Sequence, residues 1–268
     1  MPILGNGKGY EAVENILLAG GGRSGKSFLI LLIIILRALE YPNSRHAVFK
    51  RTRASCEATV FNITLDQVLN ALNKDLRKKL NVNKSDLIVT FRNGSVITFD
   101  GLDEHRREKV LGAEWQTIWM NECNEFDYED VEILSTRLNG ESVSSKSGLS
   151  ITRKMIFDCN PRSKKDWDYK LFVEKVSPIT NKPLEDSETY GWIQVNNDDP
   201  VYLRRFANAS EANKNRYLRG LWTNDNPDAM FKQDVIDKHR VPNMDREEWT
   251  KLKRITVNID PAITAHKD

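Results

Sequence analysis

Short apolar runs, punctuated by glycine, asparagine, aspartate and proline, recur along this chain. Residues 15–19, 47–50, 117–120, 154–157 and 190–195 are brief and mostly apolar, which predicts buried strands. Residues 87–91 and 95–99 flank Asn93-Gly94, a dipeptide that favours a tight hairpin turn, so they are predicted to pair antiparallel. Between the runs, residues 28–40, 58–80 and 201–221 carry a helical pattern. The first of these opens with nine consecutive apolar residues, Phe28 to Leu36. A bilayer span needs about 20, so this segment is read as a helix packed on a central sheet. Residues 137–150 are polar and serine-rich, an expected exposed loop, and residues 1–9, with three glycines and a proline, are expected to be loose. A last strand is predicted at 254–260. Strands interleaved with helices, without internal repeats, predict an α/β sandwich around a mostly parallel sheet.

Composition narrows this only a little. The 268 residues suffice for one large α/β domain or two small ones. An apolar share of 40% and a charged share of 29% are those of a soluble globular protein, and a net charge of +2 neither requires nor excludes a nucleic-acid partner. The three cysteines form no C-x-x-C pair and the four histidines are scattered, so no zinc site is expected. With no secretory signal at the N-terminus, a reducing cytoplasm is the expected setting.

Candidate chemistry begins directly after the first strand. Gly20-Gly21-Gly22-Arg23-Ser24-Gly25-Lys26-Ser27 fits G-x-x-x-x-G-K-[ST], the phosphate-binding loop of P-loop NTPases, and it stands between a predicted strand and a predicted helix. Glycines let several N–H groups converge on one anion, and the helix N-terminus adds partial positive charge. Lys26 is expected to reach the β- and γ-phosphates of ATP, and Ser27 to offer its hydroxyl to Mg²⁺.

Such a loop needs a partner acid to support the metal and orient water. Three predicted strands end in candidates: Asp100, Asp158 and the pair Asn121-Glu122. Asp100 lies on the return arm of the hairpin. We prefer Glu122, which directly follows the terminal residue of its strand, as the group that polarises the attacking water. Asn121 then stands where a metal-supporting aspartate is usual, and its neutral amide predicts weaker Mg²⁺ support. Asp158 is assigned to a sensor strand.

Together these pieces resemble the ATPase domain of the large terminase subunit of tailed bacteriophages. The resemblance includes Phe49-Lys50-Arg51-Thr52-Arg53, the hairpin from Phe91 to Leu102, and Leu111-Gly112-Ala113-Glu114-Trp115 leading into Ile118 to Glu122 as the Walker B segment. It also includes Cys159-Asn160-Pro161 as the coupling motif and Gly220-Leu221-Trp222 as a closing Gly-x-Trp. It implies a P-loop NTPase three-layer sandwich of the ASCE group, with an extra strand between the P-loop and Walker B strands and a small C-terminal lid or linker subdomain. The implied organisation is an ATPase core at 1–220, a lid or linker at 221–253, and at 254–268 the opening strand of an RNase H-like nuclease domain, with Asp260 as a metal ligand of that domain. The other acids of such a site are not in this chain, so no nuclease activity is expected of it.

The implied function is ATP-driven packaging of double-stranded DNA into a procapsid, within the cytoplasm of the infected host cell. The implied partners are DNA, the portal protein, the small terminase subunit and further copies in a ring, with no membrane role. By the same resemblance Arg23 senses the γ-phosphate in cis, Arg137 is a candidate finger supplied to a neighbour, and Asn160 couples the nucleotide to the sensor strand. Lys74, Arg77, Lys78 and Lys79 are candidate DNA contacts, or simply a solvated helix end. Residues 10–15 are a candidate adenine contact. Three other readings stay open: another nucleic-acid translocase or helicase, a small-molecule kinase, and a nucleotide-binding module that Asn121 has left with weak hydrolysis.

Overall fold

A computed structural model of the chain describes residues 13–103, 110, 112–224 and 238. The elements in chain order are β1 (Asn15–Ala19), α1 (Lys26–Glu40), β2 (Arg45–Lys50), a helix α2, α3 (Lys74–Arg77), β3 (Leu80–Asn83), β4 (Ile88–Phe91), β5 (Val96–Gly101), β6 (Thr117–Met120), α4 (Tyr128–Ser135), β7 (Lys154–Cys159), a helix α5, β8 (Tyr190–Gln194), α6 (Pro200–Arg204) and a helix α7. Helix α2 runs through Arg53–Ser55, Cys56–Thr64 and Leu65–Ala71 end to end; α5 joins Trp167–Tyr169 to Lys170–Glu174, and α7 joins Glu211–Asn213 to Lys214–Arg219.

One sheet of eight strands holds the order β3-β4-β5-β2-β6-β7-β1-β8. From β5 to β8 every pairing is parallel, while β4 runs antiparallel to β3 and β5. All residues of β6 and β7 are buried, whereas β5 alternates between buried and half-buried positions. Strands covered on both faces need apolar residues at every position, which is why the central strands read as unbroken runs. Strand β7 separates β1 from β6, the extra strand that the resemblance implies.

Helices cover both faces and divide the core in two. On one face α1 and α2 contribute Ile30, Leu31, Ile34, Val60 and Phe61 against Phe99 and Trp119 of the sheet. On the other, Trp115, Leu134, Leu171 and Phe172 pack on Phe49, Met120 and Phe157. Full burial of each such side chain stabilises the fold by roughly 1.5–3 kcal/mol.

Two expectations need correction. The segment 58–80 is not one helix: Leu72 is extended (ψ 146°), Asn73 caps the short α3 by accepting from Leu76 N–H, and Leu80 opens strand β3. That strand is only four residues long, too short for its alternation to stand out from helical periodicity. The segment 201–221 is likewise divided, because Ser210 caps α7 by accepting from Asn213 N–H. Helix α1 packs on the sheet as expected, through Ile30, Leu31, Ile34 and Ile35, and leaves Leu29, Ile33 and Leu36 exposed on its outer side. At the start of the 221–253 segment, the Trp222 indole donates to Asp168 Oδ2 at 3.1 Å, and Thr223 pairs with Ser163. The strand expected at 254–260, with Asp260, lies outside the described residues, as do residues 1–12.

Candidate active site

Parallel strands present their C-terminal ends to one edge of the sheet, and four loops from that edge meet around the glycine-rich segment. β1 ends at Ala19 and α1 begins at Lys26, so residues 20–25 make the whole connection. Gly25, the residue preceding the helix, adopts φ +81°, a conformation that costs glycine little, and no side chain caps the helix there. The N–H groups of the first turn are therefore left for an anion.

Gly22, Arg23, Ser24, Gly25, Lys26, Ser27 and Phe28 line a groove of about 610 Å³. Its other walls come from Ile63, Thr64 and Gln67 of α2, from Glu122 after β6, and from Asp158 and Asn160 of β7 and its exit. Lys26 is buried, and its Nζ donates to Gly21 O at 2.6 Å, Ser24 Oγ at 3.0 Å, Gly20 O at 3.2 Å and Asn160 Oδ1 at 3.2 Å. Burial pushes its pKa down, while the nearby charge of Asp158 opposes that shift. The lysine thus folds back on its own loop, within reach of the groove and tied to the Asn160 side chain.

Glu122 turns left-handed (φ 55°, ψ 53°) immediately after β6, a conformation that costs a non-glycine residue of order 1 kcal/mol. Its carboxylate pairs with Lys50 at the end of β2, across 2.8 Å. Asn121 is buried and turns its amide nitrogen towards Asp158, 3.0 Å from Oδ1 and 3.2 Å from Oδ2, with Ser27 Oγ at 3.4 Å. Trp119 Nε1 donates to the same Asp158 Oδ1 at 2.7 Å. Burial pushes the Asp158 carboxyl up, against the pull of its Asn121 and Trp119 hydrogen bonds. Asn124 Nδ2 donates to Asn160 O at 3.0 Å, which links the turn after β6 to the exit of β7.

Of the residues selected by sequence, Gly22 to Ser27, Glu122 and Asn160 line this groove, Gly20 and Gly21 hold Lys26, and Asn121 reaches Ser27. Arg23 is exposed at the rim. Arg137 lies elsewhere, beyond the end of α4, with its Nε on Thr136 Oγ1 at 2.9 Å. Lys74, Arg77, Lys78 and Lys79 are all exposed.

Sequence reasoning missed several participants. Lys50 reads as a charged residue closing an apolar strand, and nothing in the sequence pairs it with Glu122. Residues 196–217 also hold the loop: Asn196 Oδ1 accepts from Gly21 N–H at 3.1 Å, and Tyr217 O accepts from Gly22 N–H at 2.8 Å. Both are backbone-directed contacts from distant residues, which leave no local signature.

The sequence model for the phage terminase large subunit matches residues 13–226, most of the chain. The chain belongs to that family. The PBSX phage terminase large subunit of Bacillus subtilis (strain 168) is 30% identical over 199 residues, covering 71% of this terminase chain and 41% of the relative. The chain therefore spans less than half the length of that curated relative. Among solved structures, the large terminase of a thermophilic bacteriophage superposes with a TM-score of 0.60 at 16% identity, over 81% of this chain and 51% of that one. The same phage protein in complex with ADP also gives 0.60 at 16% identity, over 79% of this chain and 49% of that one. The Thermus phage P74-26 large terminase ATPase domain gives 0.55 at 13% identity, over 82% of this chain and 96% of that domain. At these identities the likeness establishes the fold, and the residues above must carry the chemistry.

Proposed function

We propose that this terminase chain is the ATP-hydrolysing motor that drives double-stranded DNA into a procapsid. The observation that carries the reading is that one groove gathers Lys26, Ser27 and Glu122 at the carboxyl edge of the sheet. The first turn of α1, Lys26 and Ser27 would bind the phosphates, and Glu122 would accept a proton from the attacking water. Arg23, at the rim, would meet the γ-phosphate in cis. Arg137, lying away from the groove, would serve a neighbouring subunit in a ring. The ADP complex of the thermophilic phage terminase supports nucleotide as the ligand.

Mg²⁺ suits the donors present. Among the described residues no group of three or more His, Cys, Asp or Glu side chains could hold a metal alone, so the ion would be shared between Ser27 and phosphate oxygens, with Asn121 and Glu122 near it. When bound, it would neutralise phosphate charge. Among the described residues no helix is long and apolar enough to cross a membrane. The partners that fit are DNA, the portal protein and the small terminase subunit, in the cytoplasm of the infected cell. Residues 221–253 would link the core to a nuclease domain that opens at 254–268, with Asp260 as one of its metal ligands.

The test is ATP hydrolysis by the purified chain, with and without DNA and a portal–procapsid preparation. Lys26→Ala is expected to abolish binding or turnover. Glu122→Gln is expected to keep nucleotide binding and lower turnover by roughly 10²- to 10⁴-fold. Unchanged turnover in Glu122→Gln would refute the assignment of the base, and hydrolysis indifferent to DNA and portal would favour a nucleotide-binding module over a motor.

A further inference from the structure

Strand β6 is followed directly by a neutral amide, Asn121, where a P-loop site ordinarily draws on an acid. The neighbouring strand β7 carries an acid at the same level: Met120 is in register with Phe157, and the residues that follow are Asn121 and Asp158. Asp158 is only 3% exposed, yet it lines the groove alongside Lys26 and Ser27. An ionised carboxylate at that depth is costly unless hydrogen bonds and a positive charge compensate it. Its hydrogen-bond donors are both neutral, Trp119 Nε1 at 2.7 Å and Asn121 Nδ2 at 3.0 and 3.2 Å, and the nearby positive charge is the ammonium of Lys26, which itself is directed at Gly20 O, Gly21 O, Ser24 and Asn160.

The amide of Asn121 has its orientation fixed by this contact, because its oxygen would repel the carboxylate that its nitrogen now faces. The same nitrogen lies 3.4 Å from Ser27 Oγ. Asn121 therefore acts as a donor bridging Ser27 to Asp158, and the acceptor with negative charge on this wall of the groove is Asp158. A hard cation bound beside Ser27 would keep several waters, and their hydrogens need such acceptors.

We propose that Asp158 is the anionic partner of the metal in this site, accepting a hydrogen bond from metal-bound water in place of a strand-end acid at 121, with Asn121 and Trp119 as positioning residues that hold its carboxylate. The carboxylate has in effect moved one strand sideways. This rests on the nucleotide-site reading above and adds to it a residue that the Walker B pattern does not contain.

Mn²⁺ is a suitable probe, because the free ion gives an electron paramagnetic resonance signal that is lost on binding. Titrations at saturating ADP would compare the wild-type chain with Asp158→Asn and with the swap Asn121→Asp/Asp158→Asn, alongside ADP affinity without metal and the thermal midpoint of each. Asp158→Asn is expected to weaken Mn²⁺ binding by about 10- to 100-fold, with metal-free ADP affinity within about twofold of wild type. The swap returns the charge to strand β6 and is expected to restore Mn²⁺ affinity to within a fewfold of wild type. A plain structural role would lower the thermal midpoint of Asp158→Asn while leaving Mn²⁺ affinity unchanged, and that result would overturn the proposal. If Asp158→Asn does not fold, the swap decides alone: near-wild-type Mn²⁺ affinity supports the exchange, and a tenfold or greater loss in the folded swap refutes it. A wild-type chain that binds neither ADP nor Mn²⁺ with ADP would instead bring down the nucleotide-site reading itself.

Discussion

Lys50 Nζ, at the end of β2, donates to Glu122 Oε2 across 2.8 Å. The lysine side chain is 8% exposed and the glutamate 41%, so the pair sits at the mouth of the groove with one end in solvent. The bond occupies one of the carboxylate's lone-pair sites and turns Oε2 towards Lys50 rather than towards the groove. For the half-exposed partner the contact is worth about 1 kcal/mol or less. Lys50→Met keeps the length of the side chain and removes the clamp. Basal ATP hydrolysis is expected to rise by up to about fivefold, the rate equivalent of that energy, with nucleotide affinity unchanged and with Lys50→Arg close to wild type. A steady-state assay without DNA measures this. A fall in rate would mean that the lysine holds Glu122 in its working position.

The contrast between Lys50 and Lys26 shows what could be read in advance. Lys26 is legible because its chemistry is local: strand, glycine loop and helix follow one another over a few residues, and the strand order places that loop at the sheet's carboxyl edge. The buried central strands were legible because burial on both faces demands unbroken apolar runs. Lys50 and Asp158 acquire their meaning from register between strands that are distant in sequence, and no window of residues contains that. Strand β3 was hidden for a related reason: its four residues become a strand only by pairing with β4.

Gly220 touches the phosphate-binding loop by close approach. Its φ is +59°, and a Cβ there would stand 2.4 Å from Gly20 Cα and 2.8 Å from Gly20 C. Gly148 has a similar φ of +69°, with nothing within 4 Å of such a Cβ. Alanine at either position incurs the left-handed penalty of roughly 1–2 kcal/mol. Only at 220 must the loop backbone also move. Both variants are expected to melt a few degrees lower, but only Gly220→Ala should lose nucleotide affinity, by tenfold or more. Calorimetric titration of ADP into the two variants checks this. Equal affinities would show that residue 220 does not constrain the loop.

The thiols are expected to be inert in the folded chain. Cys56, Cys123 and Cys159 are all buried and unpaired to one another by any disulfide. Burial pushes Cys56 up to about 12 and Cys123 up to about 11, and its hydrogen bond with Cys123 pushes Cys159 up as well. Thiolate is the reactive form, so Ellman's reagent at pH 8 should modify none of them in minutes and all three once the chain is unfolded in denaturant. Rapid reaction of a native thiol would contradict this placement.

His46 gives the fold a built-in acid sensitivity. It is fully buried in β2; its Nε2 lies 2.9 Å from Ser44 Oγ, and its Nδ1 has no hydrogen-bond partner. The Ser44 hydroxyl donates to Tyr41 O at 2.6 Å, so it is free to accept from Nε2–H, and the ring is a neutral imidazole with its lone pair on Nδ1. Burial, helped by the charge of Arg37, pushes its pKa down to about 3. The unfolded chain, with an ordinary histidine near 6.5, therefore binds more protons than the folded chain between those values. Stability must then rise with pH across that window and be lost as pH falls from about 6.5 towards 3, with a slope approaching 1.4 kcal/mol per pH unit from this group. Carboxylates titrate over the same range, so the informative quantity is the difference between wild type and His46→Gln, which cannot take up the proton. Urea unfolding at pH 7.5, 6 and 5 is expected to show the wild type losing about 1 kcal/mol more than the variant between pH 6 and 5. An unchanging difference would mean that the native ring takes up the proton at its ordinary pKa, and that the unpaired Nδ1 finds an acceptor after all.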